Sequence, residues 1–501
     1  MLDCESGHKW SGEQVYESAL NLAYYLITEC LLKPGDIVCF LVPDSAIHAV
    51  AMLGVMAAGG VYCSLPSHSS YREIDEVLTR IEPEFLVTDA YNYGISAVIT
   101  TEMISIKKLL VLDEKSATEL NTNFDIIENI FQYERQFLPL PLEGSLHDTC
   151  ALLIANTSDG STKAVIRTNR NLIAASKALQ NSESTLLDAT DDVVLITGLY
   201  SGSGLNLFLH TITKGSTLAI FAANDTSNDR LLNCIQQNRI TSALLTTSQL
   251  HICIEHKESV NSLRDVWFVG TAISEKTHKI VIELFKNFRK LFITSEAGWV
   301  TTEYLSEANT KPNHKTIGRP VAGVEMKVVD SNGRSVPHNT VGELCIRSHQ
   351  CSPGYLNNEV ESEQIFWTDG FVRSGEYGYY DGFGLFYIVG HSEEFVKVDD
   401  FMVSTEELVS VLLSHRSVTE AAVICAEDHN GSEYPKAFVS MRKDFEHKSA
   451  DEPIEQILVN FVNLRVDPRK WLRRDGIEIL KDSPHPYVRR MSIKRELETF
   501  L

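Results

Sequence analysis

The sequence predicts an α/β fold built in successive parts, and three observations carry the prediction. Short, wholly apolar runs alternate with helical segments from Ile37 to Val269. Continuous apolar strands separated by helices imply parallel sheets covered on both faces. From Val324 the texture changes to short strands joined by turns such as Asn332-Gly and Asp381-Gly, the pattern of a small β-rich subdomain. After Gly390 a compact α+β segment begins. The boundaries expected are therefore an N-terminal domain over 1–389, with its β-rich subdomain at about 317–389, and a C-terminal domain over 390–501.

The elements follow in order. Ser11 and Gln14 have capping-box spacing and open a helix whose apolar face holds Val15, Leu20, Leu22 and Leu26. Lys33-Pro-Gly-Asp36 is a turn, and Ile37-Val-Cys-Phe-Leu-Val42 a buried strand. The apolar stretch from Ala46 to Cys63 is interrupted by His48, Gly54 and Gly59-Gly60. It fits a buried helix turning into a strand near Val61, not a membrane span. Further strands are expected at Phe85–Thr88, Lys108–Leu112, Val193–Thr197, Thr217–Phe221, Ser242–Leu245 and Val266–Val269. In the later parts they are expected at Val324–Val329, Gly342–Arg347, Phe386–Val389 and Ala421–Cys425, with a helix at Thr405–Ser414.

Composition excludes several function classes. With 501 residues, 44% of them apolar, the chain exceeds what one core accommodates. A formal charge of -22 disfavours nucleic acid or an anionic membrane as partner, since both require a basic face. The ten cysteines include no Cys-x-x-Cys pair, which fits reduced thiols in the cytoplasm and excludes a zinc site of that type. Thr499-Phe-Leu501 is a poor match to the Ser-Lys-Leu peroxisomal address.

One segment carries most of the chemistry. Asn156-Thr-Ser-Asp-Gly-Ser-Thr-Lys-Ala164 has the length of a phosphate-gripping loop between a buried strand and a helix. Such loops need glycine for close backbone approach, hydroxyl donors, and a lysine to neutralise charge. Thr157, Ser158 and Thr162 supply hydroxyls, while Gly160 and Lys163 supply the rest. Asp159 puts a carboxylate among them. At ~4 Å from a phosphate charge it would cost ~4 kcal/mol at an effective dielectric of 20.

Several segments, in order and spacing, resemble the AMP-forming acyl-activating enzymes: acyl-CoA synthetases, coumarate–CoA ligases, luciferases and adenylation domains. They are Lys33-Pro-Gly-Asp36, Thr316-Ile-Gly-Arg-Pro320, Gly342-Glu-Leu344, Gly354-Tyr-Leu-Asn357 and Gly378-Tyr-Tyr-Asp381. The resemblance implies a large N-terminal domain of αβαβα-type stacked sheets and a small mobile C-terminal lid. It also implies formation of an acyl-adenylate from a small-molecule carboxylate and ATP with Mg²⁺, then transfer to coenzyme A.

Carried over residue by residue, the phosphate loop falls on Asn156 to Ala164, and Phe292-Ile-Thr-Ser-Glu296 matches a segment whose glutamate binds Mg²⁺. Ser295 keeps that segment's hydroxyl, whereas Ile293 takes its glycine position. Glu376 falls where the family's ribose-binding aspartate stands. His391 replaces the hinge arginine, losing a permanent two-pronged charge. Lys397 keeps the lysine of the hinge-side loop, while Asp400 replaces a glycine on the coenzyme A path. Counting six residues from Pro484 puts Arg490 at the position of the lid's catalytic lysine, whereas counting back from Arg495-Glu-Leu497 puts Met491 there. Tyr200-Ser-Gly-Ser-Gly204 matches the acyl-pocket segment, with Ser201 in place of its histidine. Because the altered contacts are those to phosphate, hinge and coenzyme A, a catalytically impaired relative is expected, a pseudoenzyme or a protein that uses the fold to bind a ligand or a partner. The alternative is a working acyl- or aryl-CoA synthetase with drifted motifs.

Overall fold

The structure is a computed structural model. It describes residues 1–120, 124–134, 144–156, 162–180, 192–222, 228–269, 275–305, 316–367, 369–391, 395–398, 401–427, 433–442, 453–466, 471–473 and 475–480. The fold is mixed α/β, and the chain divides into two compact units. One comprises Met1–Asn156, Thr162–Ser374 and Tyr379–Ile388; the other comprises Thr157–Ser161, Gly375–Gly378 and Val389–Leu501.

The first unit holds two large sheets. In a six-stranded sheet the spatial order is Lys108–Val111, Phe85–Thr88, Ile37–Leu41, Val61–Ser64, Thr149–Asn156 and Thr162–Thr168. All neighbours pair parallel except the last two, which are antiparallel. The parallel strands Phe85–Thr88 and Val61–Ser64 are buried at every residue, as two covered faces require. In the twelve-stranded sheet, Thr217–Ile220, Val193–Ile196, Ser242–Leu245, Asp265–Val269 and Asn287–Thr294 run parallel. Antiparallel strands Gly298–Leu305 and Thr316–Pro320 then lead into Phe386–His391, Val372–Tyr380, Gly342–Ser348 and Val324–Val329. These later strands enclose a small core of their own around Ile317, Val328, Leu344 and Phe386.

Local chemistry explains the helix starts. Ser11 and Gln14 exchange both capping-box bonds at the head of Gly12–Thr28, and Ser70 and Glu73 do so for Tyr71–Ile81. The stretch from Ala46 resolves into the helix Ala46–Ala57 and the strand Val61–Ser64, joined by a turn in which Gly59 has φ +79°.

One expectation is corrected. The last three residues of the candidate phosphate loop, Thr162–Ala164, already belong to a strand, Thr162–Thr168, and only after it comes the helix Asn169–Gln180. The β-branched residues Val165 and Ile166 favour extended backbone. The strand pairs antiparallel from Thr149↔Thr168 to Asn156↔Thr162.

The second unit contains a two-stranded sheet, Phe395–Val398 with Phe401–Ser404. A three-stranded sheet joins Val418–Glu427, Glu433–Met441 and Ile477–Leu480. The helices Thr405–Leu413 and Ile454–Asn463 bring Leu408, Leu412, Leu458 and Val462 into this unit's own core with Val439.

Candidate functional site

Strand Thr162–Thr168 is the floor of the site. Its first residue is anchored from the helix Tyr71–Ile81: the backbone amide and the hydroxyl of Thr162 both donate to Glu76 Oε1, each at 3.0 Å. On the other edge the strand receives the segment Gly354–Leu356, through an isolated bridge Val165↔Tyr355 and bonds from Ile166 N to Gly354 O and Leu356 N to Ala164 O. That docking lays the Tyr355 ring beside Lys163, whose Nζ stands 5.2 Å from the ring centroid. Lys163 is ion-paired with Glu361 of the short helix Glu359–Ile365. Both side chains are largely screened from water, at 16% and 30% exposure, so the pair is stronger than a surface one.

Tyr355 also links Lys163 to the candidate magnesium carboxylate. Its hydroxyl donates to Glu296 Oε1 at 3.1 Å. Burial, followed by the charge of Glu296, pushes the Tyr355 phenol far above its ordinary range, so it is always the donor. Ser295 and Glu296 sit in the turn between Asn287–Thr294 and Gly298–Leu305. The turn is closed by Ala297 N donating to Thr294 Oγ1 at 2.9 Å. Beneath it lies Arg167, wholly buried, with Nη1 donating to the Ser295 carbonyl at 3.1 Å and the Glu296 carbonyl at 3.4 Å. Burial lowers the Arg167 guanidinium to about 10, which leaves it charged at neutral pH. Gln350 completes the support by bonding both the amide and the carbonyl of Trp299, at 3.0 and 3.1 Å.

A second wall approaches the same turn. The helix Gly202–Lys214 starts at Ser201, whose hydroxyl accepts from Gly204 N at 3.0 Å. A Cβ on Gly202 would lie 4.0 Å from the Ser295 Cα and 3.0 Å from Leu153 Cδ1. Gly202 thus faces the backbone of Ser295.

Of the sequence-predicted residues, Lys163, Ser295 and Glu296 are brought together through Tyr355 and Arg167. Glu376 lies in the strand Val372–Tyr380, and Lys397 in Phe395–Val398 opposite Met402. His391 ends the strand Phe386–His391 and lies so close to the backbone of Gly375 that a Cβ there would meet its Nε2 at 2.9 Å. Gly375 has φ +73°, a conformation that favours glycine. Thr157, Ser158, Asp159, Gly160, Asp400 and Arg490 lie outside the described residues.

Sequence reasoning missed Glu361, Tyr355, Glu76 and Arg167 as parts of the site. A signal existed for Arg167, an arginine inside an apolar strand, and for Tyr355, which belongs to the family-like motif Gly354-Tyr-Leu-Asn357. Glu361 and Glu76 carried none.

The donor set suits a magnesium ion held with a nucleotide. Such an ion takes one or two carboxylates and leaves its other positions to water and phosphate. Glu296 provides one carboxylate, and no cluster of three or more metal-ligating side chains occurs among the described residues. Among the described residues Glu296 would hold the ion, and the ion would screen phosphate charge when bound.

The profile of a family described as AMP-binding enzyme matches residues 1–356. A probable CoA ligase of Humulus lupulus is 24% identical over 489 residues, covering 94% of this chain and 85% of that protein. A 4-coumarate–CoA ligase-like protein of Arabidopsis thaliana is 25% identical over 480 residues, covering 89% and 82%. Among solved structures, ATP-bound MatB from Rhodopseudomonas palustris superposes with a TM-score of 0.77 at 19% identity, covering 99% of this chain and 95% of that one. An anthranilate CoA ligase in complex with anthranoyl-AMP gives 0.73 at 18% identity, covering 98% and 93%. These similarities in structure show a shared fold. No helix among the described residues is long and apolar enough to cross a membrane.

Proposed function

Because the chain belongs to the AMP-binding enzyme family, we propose that it binds ATP and a small carboxylic acid on the frame of an AMP-forming acid–CoA ligase but forms acyl-adenylate poorly. In the full reaction a carboxylate oxygen attacks the α-phosphorus, the bond to the bridging oxygen breaks, and pyrophosphate leaves. The coenzyme A thiol then attacks the acyl carbon and AMP departs. Both halves depend on positive charge arranged where phosphate charge accumulates.

One observation carries the proposal: Lys163, the lysine of the candidate phosphate-binding segment, is already neutralised by Glu361. A triphosphate arriving there must displace a carboxylate before it gains the lysine. The altered residues Asp159, His391 and Arg490 act in the same direction. Glu296 and Ser295, kept beside Tyr355 and Arg167, support the second reading, a working acyl- or aryl-CoA synthetase. Exchange of radiolabelled pyrophosphate into ATP, with Mg²⁺ and a panel of aromatic and aliphatic acids, separates the two. Background exchange across the panel is expected, and sustained exchange with any acid would establish the second reading instead. Nine unpaired cysteines among the described residues support a reducing compartment, and we assign the cytoplasm.

A further inference from the structure

Beneath the second wall of the site lies a buried polar cluster to which no role is assigned. Asp44 precedes the helix Ala46–Ala57 and is 5% exposed. Its two carboxylate oxygens accept separate backbone bonds from the turn ahead of the helix Gly202–Lys214: Oδ2 from Gly198 N at 2.5 Å and Oδ1 from Leu199 N at 3.2 Å. The Gly198 carbonyl in turn accepts from the amide and the hydroxyl of Ser201, both at 2.8 Å. Gly198 has φ +67°, and a Cβ on Gly204 would stand 2.2 Å from its oxygen. The turn is thus gripped at its amides by Asp44 and at its carbonyl by the helix cap. The Tyr62 hydroxyl reaches the Leu199 carbonyl at 3.4 Å and His48 Nε2 at 3.0 Å.

We propose that Asp44 is a positioning residue for the site: its buried carboxylate holds the Gly198–Leu199 turn and so sets how the Tyr200–Gly204 segment meets Ser295. The proposal rests on the ligand-binding reading above only in treating that segment as a wall of the ligand site.

The groups around Asp44 leave it as the one that titrates between pH 5 and 8. His48, 3.8 Å away in the helix that follows Asp44, is held down to about 4 by burial, which outweighs the Pro43 carbonyl, and stays neutral. Tyr62 and Tyr200 are pushed up, chiefly by burial and secondarily by the Asp44 charge, and stay protonated. Burial raises Asp44 to about 6, while its bonds from Gly198 and Leu199 pull it down.

The sign of the pH response distinguishes gripping from mere burial. Displacing the turn while Asp44 stays buried removes the bonds that lower its pKa. Acid therefore favours that displacement, and turn protection falls as pH drops from the raised value of the displaced state to about 6, levelling off below it. A wide opening that carries Asp44 into water restores an ordinary carboxylate pKa. Acid would then favour the closed form, and protection would rise.

Amide hydrogen exchange on the full chain without ligand, corrected for intrinsic rates, reads this at Gly198 and Leu199. Protection is expected to be roughly tenfold lower at pH 5 than at pH 8, with most of the loss above pH 6, while the sheet amides of Val194 and Leu195 stay constant. Asp44→Asn, which keeps one acceptor, is expected to show the reduced protection at every pH. A flat or rising wild-type profile would overturn the proposal, and that titration decides the matter even if the variant does not fold. Because no ligand is involved, this result stands or falls apart from the pyrophosphate exchange that tests the ligase reading.

Discussion

Gly204→Ala is expected to destabilise the first unit severely. Gly204 is the third residue of the helix Gly202–Lys214, where alanine is ordinarily the better helix former. Here the added methyl would lie 2.2 Å from the Gly198 oxygen and 2.5 Å from the Thr197 oxygen. Both obstacles are backbone, so neither can rotate away. The turn must retreat, breaking the bonds from Gly198 and Leu199 to Asp44 and those from Ser201 to Gly198. Overpacking of this kind costs about 3 kcal/mol, and each buried group left unpaired adds about 1 kcal/mol or more. Urea unfolding would show a midpoint shifted far below that of the wild type. Gly94→Ala serves as the control: it lies in the helix Tyr93–Glu102 with nothing within 4 Å of the new methyl. That variant should gain about 0.5–1 kcal/mol. Equal stability of the two variants would show that the helix start is not packed as described.

Glu361→Gln is expected to raise the affinity for ATP–Mg²⁺ about tenfold while leaving the affinity for AMP unchanged. The substitution keeps the shape of the Glu361 side chain but removes the charge that holds Lys163. A unit-charge pair at ~4 Å and an effective dielectric of 20 is worth ~4 kcal/mol. Partial exposure and the entropy regained by two long side chains reduce the difference to about 1.4 kcal/mol, a factor of ten. The Tyr355 ring keeps Lys163 in place by a cation–π contact, so the freed ammonium remains at the site. AMP has no β- or γ-phosphate for Lys163 to meet and therefore reports on general damage. Calorimetric titration measures both ligands, and an unchanged affinity for ATP–Mg²⁺ would show that the ion pair does not limit binding.

Much of the fold was legible in the residues, for reasons the structure makes plain. Apolar runs such as Phe85–Thr88 and Ser242–Leu245 occur as the parallel strands their composition predicts, with the same limits. The Ser11–Gln14 capping box forms as its spacing requires. The end of the candidate phosphate loop reads as a loop-to-helix junction because of its glycine, hydroxyls and lysine, whereas Val165 and Ile166 favour extension and a strand forms.

The site was only half legible. Motif register singled out Lys163, Ser295 and Glu296, but pairing partners far along the chain leave no local mark. Glu361 lies 198 residues from Lys163 (361 − 163), Glu76 lies 86 from Thr162, and Asp44 lies 154 from Gly198. Nothing in a helix reading Glu359-Val-Glu-Ser-Glu-Gln-Ile365 announces that one acid in it turns towards a lysine. Only the docking of Gly354–Leu356 on the strand Thr162–Thr168 brings them together.

Comparing the affinities of ATP–Mg²⁺ and AMP for the unmodified chain, by calorimetry at the same ionic strength, tests whether the phosphate side has lost its usable charge. With Lys163 held by Glu361, the two affinities should agree within about tenfold, or 1.4 kcal/mol. ATP–Mg²⁺ bound a thousandfold more tightly than AMP would contradict the account, because the β- and γ-phosphates would then be meeting positive charge that remains free to receive them.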